Sequence, residues 1–134
     1  MKPPLKQVAA LPFVETEDGL LVLLITTRGM GRWTIPKGWP KPGMTDAELA
    51  VREAREEAGV EGDVSDKPIA NFLYTKRLHL FSWAQCSVDV YALQVRWQLL
   101  DWREKWSRKA RWAAPREAAA MVRVAELAKV LRGL

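Results

Sequence analysis

The chain has 134 residues, 49% of them hydrophobic and 28% charged, a balance that excludes intrinsic disorder and suits a single domain with one sizeable core. Its lone cysteine, Cys86, excludes an internal disulfide framework and suits a reducing cytoplasm. The net charge of +5 points to an anionic partner.

Residues 1–6 read as a loose N-terminus, with no apolar stretch behind Met1-Lys2-Pro3-Pro4 to make a signal peptide. Residues 7–11 read as a strand and residues 20–27 as a second, joined by the turn Glu17-Asp18-Gly19. Leu20-Leu21-Val22-Leu23-Leu24-Ile25 is apolar on both faces, which predicts a central strand covered on both sides; it is far too short to cross a bilayer. Residues 28–32 form a glycine-bearing loop and Trp33-Thr34-Ile35-Pro36 a short strand. Thr45 then starts a helix, with Glu48 completing a capping box, and Gly59 ends it. Residues 63–67 read as polar connection, and residues 69–76 and 86–98 as strands. Cys86 sits in the latter as a small buried residue rather than a nucleophile. Pro115 fits the first turn of a C-terminal helix, and residues 117–122 and 125–131 carry helical periodicity as one broken helix. Strands with helices on two sides suit a three-layer α/β/α sandwich.

The chemistry concentrates in residues 38–60. On the helix, Ala47, Ala50, Val51, Ala54 and Ala58 form the apolar stripe, and Glu53, Glu56 and Glu57 occupy a neighbouring arc. Three carboxylates this close repel one another, and a hard divalent cation with oxygen ligands offsets that cost. Read alone, the same residues also fit a solvated face with ordinary Glu/Arg pairs. Between residues 103 and 111 five cations face one glutamate, a cluster suited to phosphates.

Gly38, five residues, Met44, seven residues and then Arg52-Glu53-Ala54-Arg55-Glu56-Glu57-Ala58-Gly59-Val60 resembles the box that defines the Nudix family. The resemblance implies an α/β fold, a sandwich with a central mixed β-sheet. It implies that Glu53, Glu56 and Glu57 hold Mg2+ or Mn2+, with the Gly38 carbonyl as a further ligand and Arg52 bracing the glutamates. Glu56 and Glu57 would hold the main metal, and Glu53 a second one or a water. Met44 stands where the family carries its first glutamate, so Arg52 is expected to pair with Glu48, Glu56 or another carboxylate instead.

Thr27-Arg28, Arg32-Trp33, Ile35-Pro36-Lys37-Gly38, Tyr74-Thr75-Lys76-Arg77 and Arg108-Lys109-Ala110-Arg111-Trp112 follow one another in an order similar to the subgroup that hydrolyses diphosphoinositol polyphosphates and diadenosine polyphosphates. This implies cleavage of a phosphoanhydride in a dinucleoside polyphosphate or an inositol pyrophosphate. Arg28, Arg32, Lys37, Lys41, Lys76, Arg108 and Arg111 are the candidates to meet its phosphates. Trp33 or Trp39 can stack on a base, while Trp83, Trp97, Trp102, Trp106 and Trp112 read as packing residues. His79 can contact phosphate, and Asp89 or Glu104 can supply a carboxylate from outside the box. Two other readings stand beside hydrolysis. One is a non-catalytic nucleotide-binding module of the same fold, favoured by Met44. The other is an RNA-binding or RNA-end-processing protein, favoured by the basic run. The expected partner is a small phosphoanhydride, with no membrane.

Overall fold

The doubly apolar segment predicted to be central is central. In the computed structural model, which describes residues 2–134, Leu5–Thr16 (β1) and Gly19–Thr26 (β2) lie inside a mixed sheet. Side chains alternate between its faces because successive residues of a strand point to opposite sides. Ala9, Leu11, Val22 and Leu24 enter one core and Val8, Ala10, Leu23 and Ile25 the other.

The remaining strands are Trp33–Thr34 (β3), Lys37–Gly38 (β4), Val60–Val64 (β5), Ala70–His79 (β6), Ser82–Gln98 (β7) and Ala110–Ala113 (β8). β1 pairs with β7 in parallel, and every other pairing is antiparallel. The helix Asp46–Glu53 (α1) covers one face through Leu49 and Ala50. The helices Pro115–Met121 (α2) and Ala125–Arg132 (α3) cover the other through Ala118, Ala119, Leu127 and Leu131. The result is the expected α/β/α sandwich.

One departure from regular pairing builds the site. β1 and β2 pair directly only from Phe13 to Thr16 against Gly19 to Val22. Beyond that they splay, and the chain from Trp33 to Gly38 fills the gap. β3 pairs with the end of β2, β4 pairs with Val8 and Ala9 of β1, and the Ala10 N–H donates to the Pro36 carbonyl at 2.9 Å. Lys37 and Gly38 are thereby wedged into the sheet beside α1.

Several expectations need correction. Residues 5 and 6 are not loose: Leu5 and Lys6 pair with Cys86 and Ser87, and Lys6 Nζ meets Asp46 at 2.5 Å. β1 also continues past Leu11 to Thr16, because Pro12 falls where the strand leaves β4 and takes up β2. Residues 60–64, whose polar end reads as connection, form β5, and Gly62 allows a close approach to β7 at a register shift. Residues 110–113, which overlap the basic run, form β8 against β2. The C-terminal helical segment is two helices, separated where Val122 turns extended. Among the described residues no helix is long and apolar enough to cross a membrane.

Candidate active site

The carboxylate-bearing helix begins as its sequence dictates. Thr45 Oγ1 accepts from the Glu48 N–H at 3.1 Å, and Glu48 Oε1 accepts from the Thr45 N–H at 2.9 Å. The end is less regular. After Glu53 the coil widens into a π turn, Ala54–Ala58, closed by Gly59 at φ 67°. Such turns insert a residue and collect at functional sites. Here the π turn carries both Glu56 and Glu57.

The three glutamates do not converge. Glu53 and Glu57 are buried, 7% and 8% exposed, and their carboxyl groups lie within hydrogen-bonding reach of each other. Glu53 packs so closely on Gly38 that a Cβ there would sit 2.6 Å from its carboxyl carbon. Glu57 Oε1 accepts from the Lys37 N–H at 3.3 Å. Glu56 meets two arginines instead. Its Oε1 accepts from Arg52 Nε at 3.1 Å and lies 3.6 Å from Arg103 Nη1. Arg52 therefore finds the substitute partner expected of it. Leu49, absent from the predicted stripe, is fully buried, while Ala47 and Val51 are only partly so.

Burial dominates the electrostatics of Glu57. It pushes the Glu57 carboxyl up to about 8; the Glu53 hydrogen bond adds to the rise, and Arg108 opposes it. Desolvation likewise pulls the Lys37 ammonium down to about 8, against the attraction of Glu57. A hard cation beside Glu57 would offset the cost of burying its charge next to a second carboxyl.

Arg108 ties the site to the last loop. Its Nη2 stands 3.7 Å from Glu57, its Nε donates to Glu104 at 2.9 Å and its Nη1 to the Thr26 carbonyl at 3.0 Å. The loop is pinned to the helix end: the Leu99 N–H donates to the Gly59 carbonyl at 2.7 Å and the Glu104 N–H to the Glu56 carbonyl at 3.0 Å. Glu104 reaches the cleft only through Arg108 and, at 3.7 Å, Arg28. Asp89 accepts from Asn71 Nδ2 at 3.0 Å on the β6–β7 ribbon, away from Glu57.

A cleft of about 300 Å3 opens over Glu57 and Gly38, with Arg28, Lys37, Lys76 and Arg108 in its walls. Arg32 lines its continuation. Arg111 does not join them. In β8, Trp112 packs toward α1, so the alternate neighbour Arg111 turns to the α2 side and pairs with Glu117 at 3.0 Å. Lys41 stays on the exposed loop outside the cleft. Trp39, 40% exposed, stands in the cleft wall, and the partly buried Trp33 lines the continuation. Trp83, Trp97 and Trp106 are exposed rather than packed. His79 lies at the tip of the β6–β7 hairpin, outside the cleft. Cys86 is buried as expected.

Gln7 belongs to the site although sequence patterning does not single it out. It is 3% exposed, accepts from the Tyr74 hydroxyl at 2.5 Å and lines the cleft. A glutamine heading an otherwise apolar strand is its only signal in the sequence.

Among the described residues no three acidic, thiol or imidazole groups form a closed metal cluster. The fit to a divalent cation is nonetheless good. Mg2+ is commonly held by one or two carboxylates, with substrate phosphates and waters completing its shell. Glu57 and Gly38 line the open cleft, with the Glu53 carboxyl packed on Gly38, and all three carry hard oxygen donors.

The profile of the NUDIX domain matches residues 4–133. Nudix hydrolase 13, mitochondrial, from Arabidopsis thaliana is 31% identical over 82% of the chain and 57% of its own length, so the chain spans little more than half of that relative. The asymmetrical bis(5'-nucleosyl)-tetraphosphatase of Sus scrofa is 29% identical over 91% of the chain and 82% of its own length. A C. elegans Ap4A hydrolase in a binary complex superimposes with a TM-score of 0.70 at 18% identity, covering 96% of this chain and 93% of that one. With the box, the sandwich and the matched profile in agreement, the chain belongs to the Nudix family.

Proposed function

We propose that this protein is a Mg2+- or Mn2+-dependent pyrophosphohydrolase that cleaves a phosphoanhydride in a dinucleoside polyphosphate or an inositol pyrophosphate. The observation that carries the reading is the buried Glu53–Glu57 pair packed against Gly38, with Glu57 lining a cleft walled by Arg28, Lys37 and Lys76. Glu53, Glu57 and the Gly38 carbonyl would hold the cation. When bound, a divalent ion lowers the pKa of coordinated water and screens phosphoryl charge.

The chain's own residues do the rest. Arg28, Lys37 and Lys76 orient the phosphoryl groups and stabilise charge that builds on them, which is most of what anhydride hydrolysis asks of a protein. Arg108 and Glu104 are positioning residues: they hold Glu57 in place and tie the loop to the helix. Trp39 offers an exposed face for a base. The likeness to the asymmetrical tetraphosphatase supports the dinucleoside reading.

The experiment is a panel of phosphoanhydrides incubated with Mg2+ or Mn2+, with products resolved by chromatography. Glu57→Gln and Glu53→Gln are each expected to lower turnover at least a hundredfold. Unchanged turnover in both defeats the assignment. Metal-independent ligand binding without hydrolysis would instead establish a binding module.

A further inference from the structure

The β6–β7 hairpin runs on past the sheet. Ahead of Cys86, residues 82–85 of β7 pair with β6 alone, in the register Arg77 to Trp83 and His79 to Ser82. The end that projects is apolar. Leu78, Leu80, Phe81 and Trp83 are exposed, Leu80 by 65% and Phe81 by 90%. Large apolar side chains gathered on one turn form a patch, which marks an interaction site where single scattered ones do not.

The charge around the tip has one sign. Lys76 and Arg77 belong to the hairpin, and no acidic residue occurs between Asp66 and Asp89. Arg77 also binds the tip together. Its Nε donates to the His79 carbonyl at 3.3 Å and its Nη2 to the Leu80 carbonyl at 3.2 Å, and its guanidinium lies 5.6 Å from the centre of the Trp83 ring. Carbonyls left to water resist entry into an apolar medium. Here a side chain of the hairpin itself satisfies two of them.

These features separate the possible partners. Leu78 and Leu80 stack on no nucleobase, and Arg77 already lies over the Trp83 ring, so single-stranded nucleic acid gains little. A protein partner needs a pocket matched to the convex tip. A bilayer surface needs no matched shape. Its boundary accepts apolar side chains and an indole together, and anionic headgroups attract nearby lysine and arginine.

We propose that the β6–β7 hairpin is a peripheral membrane contact, in which Leu78, Leu80, Phe81 and Trp83 enter the headgroup layer of an anionic bilayer and Arg77 lies beside the headgroups. Such a contact anchors without spanning, and it replaces the expectation of no membrane partner. It does not rest on the hydrolase reading.

The test is sedimentation of the intact protein with vesicles of phosphatidylcholine alone and of equal parts phosphatidylcholine and phosphatidylserine. Partition onto the anionic vesicles should exceed that onto the neutral ones and fall as salt is raised. Phe81→Ser and Leu80→Ser should each lower it about tenfold, the scale of taking one large apolar side chain out of water. Both should leave the melting temperature unchanged, since the side chains are exposed. Arg77→Gln should lower partition severalfold. Leu100→Ser, which alters an exposed leucine of the loop after β7, should leave it unchanged. Partition no greater than onto neutral vesicles, an equal loss in Leu100→Ser, or partition untouched by both hairpin serine variants overturns the proposal. With no vesicle binding, dimers or RNA affinity that Phe81→Ser abolishes would assign the tip to a second copy of the chain or to nucleic acid instead.

Discussion

Arg108 and Glu57 face each other at 3.7 Å, with side chains only 12% and 9% exposed. The guanidinium opposes the burial and the Glu53 contact that push this carboxyl upward. Removing it leaves Glu57 buried against another acid, and Glu104 and the Thr26 carbonyl lose a donor. Arg108→Gln is expected to cost about 3 kcal/mol of stability, the scale for breaking one side of a buried pair. It should also shift half-maximal metal binding to higher pH. Thermal denaturation and a Mn2+ titration across pH 6–9 check both. Arg108→Lys should recover part of the charge effect but not the fork of three contacts.

The start and end of α1 are legible in the sequence because their chemistry is local. Thr45, Glu48 and Gly59 each act within a few residues of themselves, so their roles follow from spacing. The long-range features do not. Val60–Val64 hides as a strand because Glu61, Gly62 and Asp63 carry no strand preference, and only β7 gives them a partner. Arg111 and Arg108 share one basic run, so spacing alone groups them. Which face each takes depends on the register of β8 on β2, and that register sends Arg111 to Glu117. The three glutamates fall on one arc of an ideal helix; the coil instead widens into the π turn, where Glu56 takes Arg52 and Glu57 meets Glu53.

Gly38 is fixed by space rather than by backbone angle. A Cβ would press into the Glu53 carboxylate, and Glu53 is walled in by the sheet and by Glu57. Gly38→Ala should cost about 1–3 kcal/mol, typical of overpacking. It should also lower turnover more than that loss of stability explains, because the displaced group is a carboxylate of the pair. Melting temperature and kcat, measured together at saturating metal, separate the two effects.

The metal-free protein should lose stability as pH rises from about 4.5 toward 8. In that window the unfolded chain ionises Glu57 at its ordinary value of 4.5, while the folded chain keeps the proton up to about 8. The unfolded state then binds fewer protons than the native state, so stability falls with pH. Lys37 acts in the next window. Its folded value near 8 lies below its ordinary 10.5, so the unfolded chain binds more protons between those values and stability recovers. The two contributions together place a minimum near pH 8. Melting temperatures in chelator from pH 5 to 10 should show it, and Glu57→Gln should flatten the acid limb. Excess Mg2+ should flatten the same limb in the wild type, because a cation that takes the ionised carboxylate replaces the proton.

Met44, Arg52 and Glu56 line one shallow groove on the outer side of α1. With no carboxylate at position 44, Arg52 takes Glu56 as its partner, and Arg103 reinforces the arrangement. A glutamate at 44 would compete for Arg52 and loosen Glu56. As a partly exposed pair it should change stability by no more than about 1 kcal/mol. The larger effect should fall on the cation, since a freed Glu56 adds a third carboxylate to the turn that carries Glu57. Met44→Glu is therefore expected to lower the Mg2+ concentration for half-maximal turnover severalfold, and Met44→Gln, which brings no charge, to leave it unchanged. In the wild type, Glu56→Gln should reduce turnover far less than Glu57→Gln and act mainly by loosening the loop that Arg103 anchors. Equal losses in the two glutamate variants, with an unaltered metal requirement in Met44→Glu, would show that Glu56 already serves the cation and that its pairing with Arg52 gives way when the ion binds.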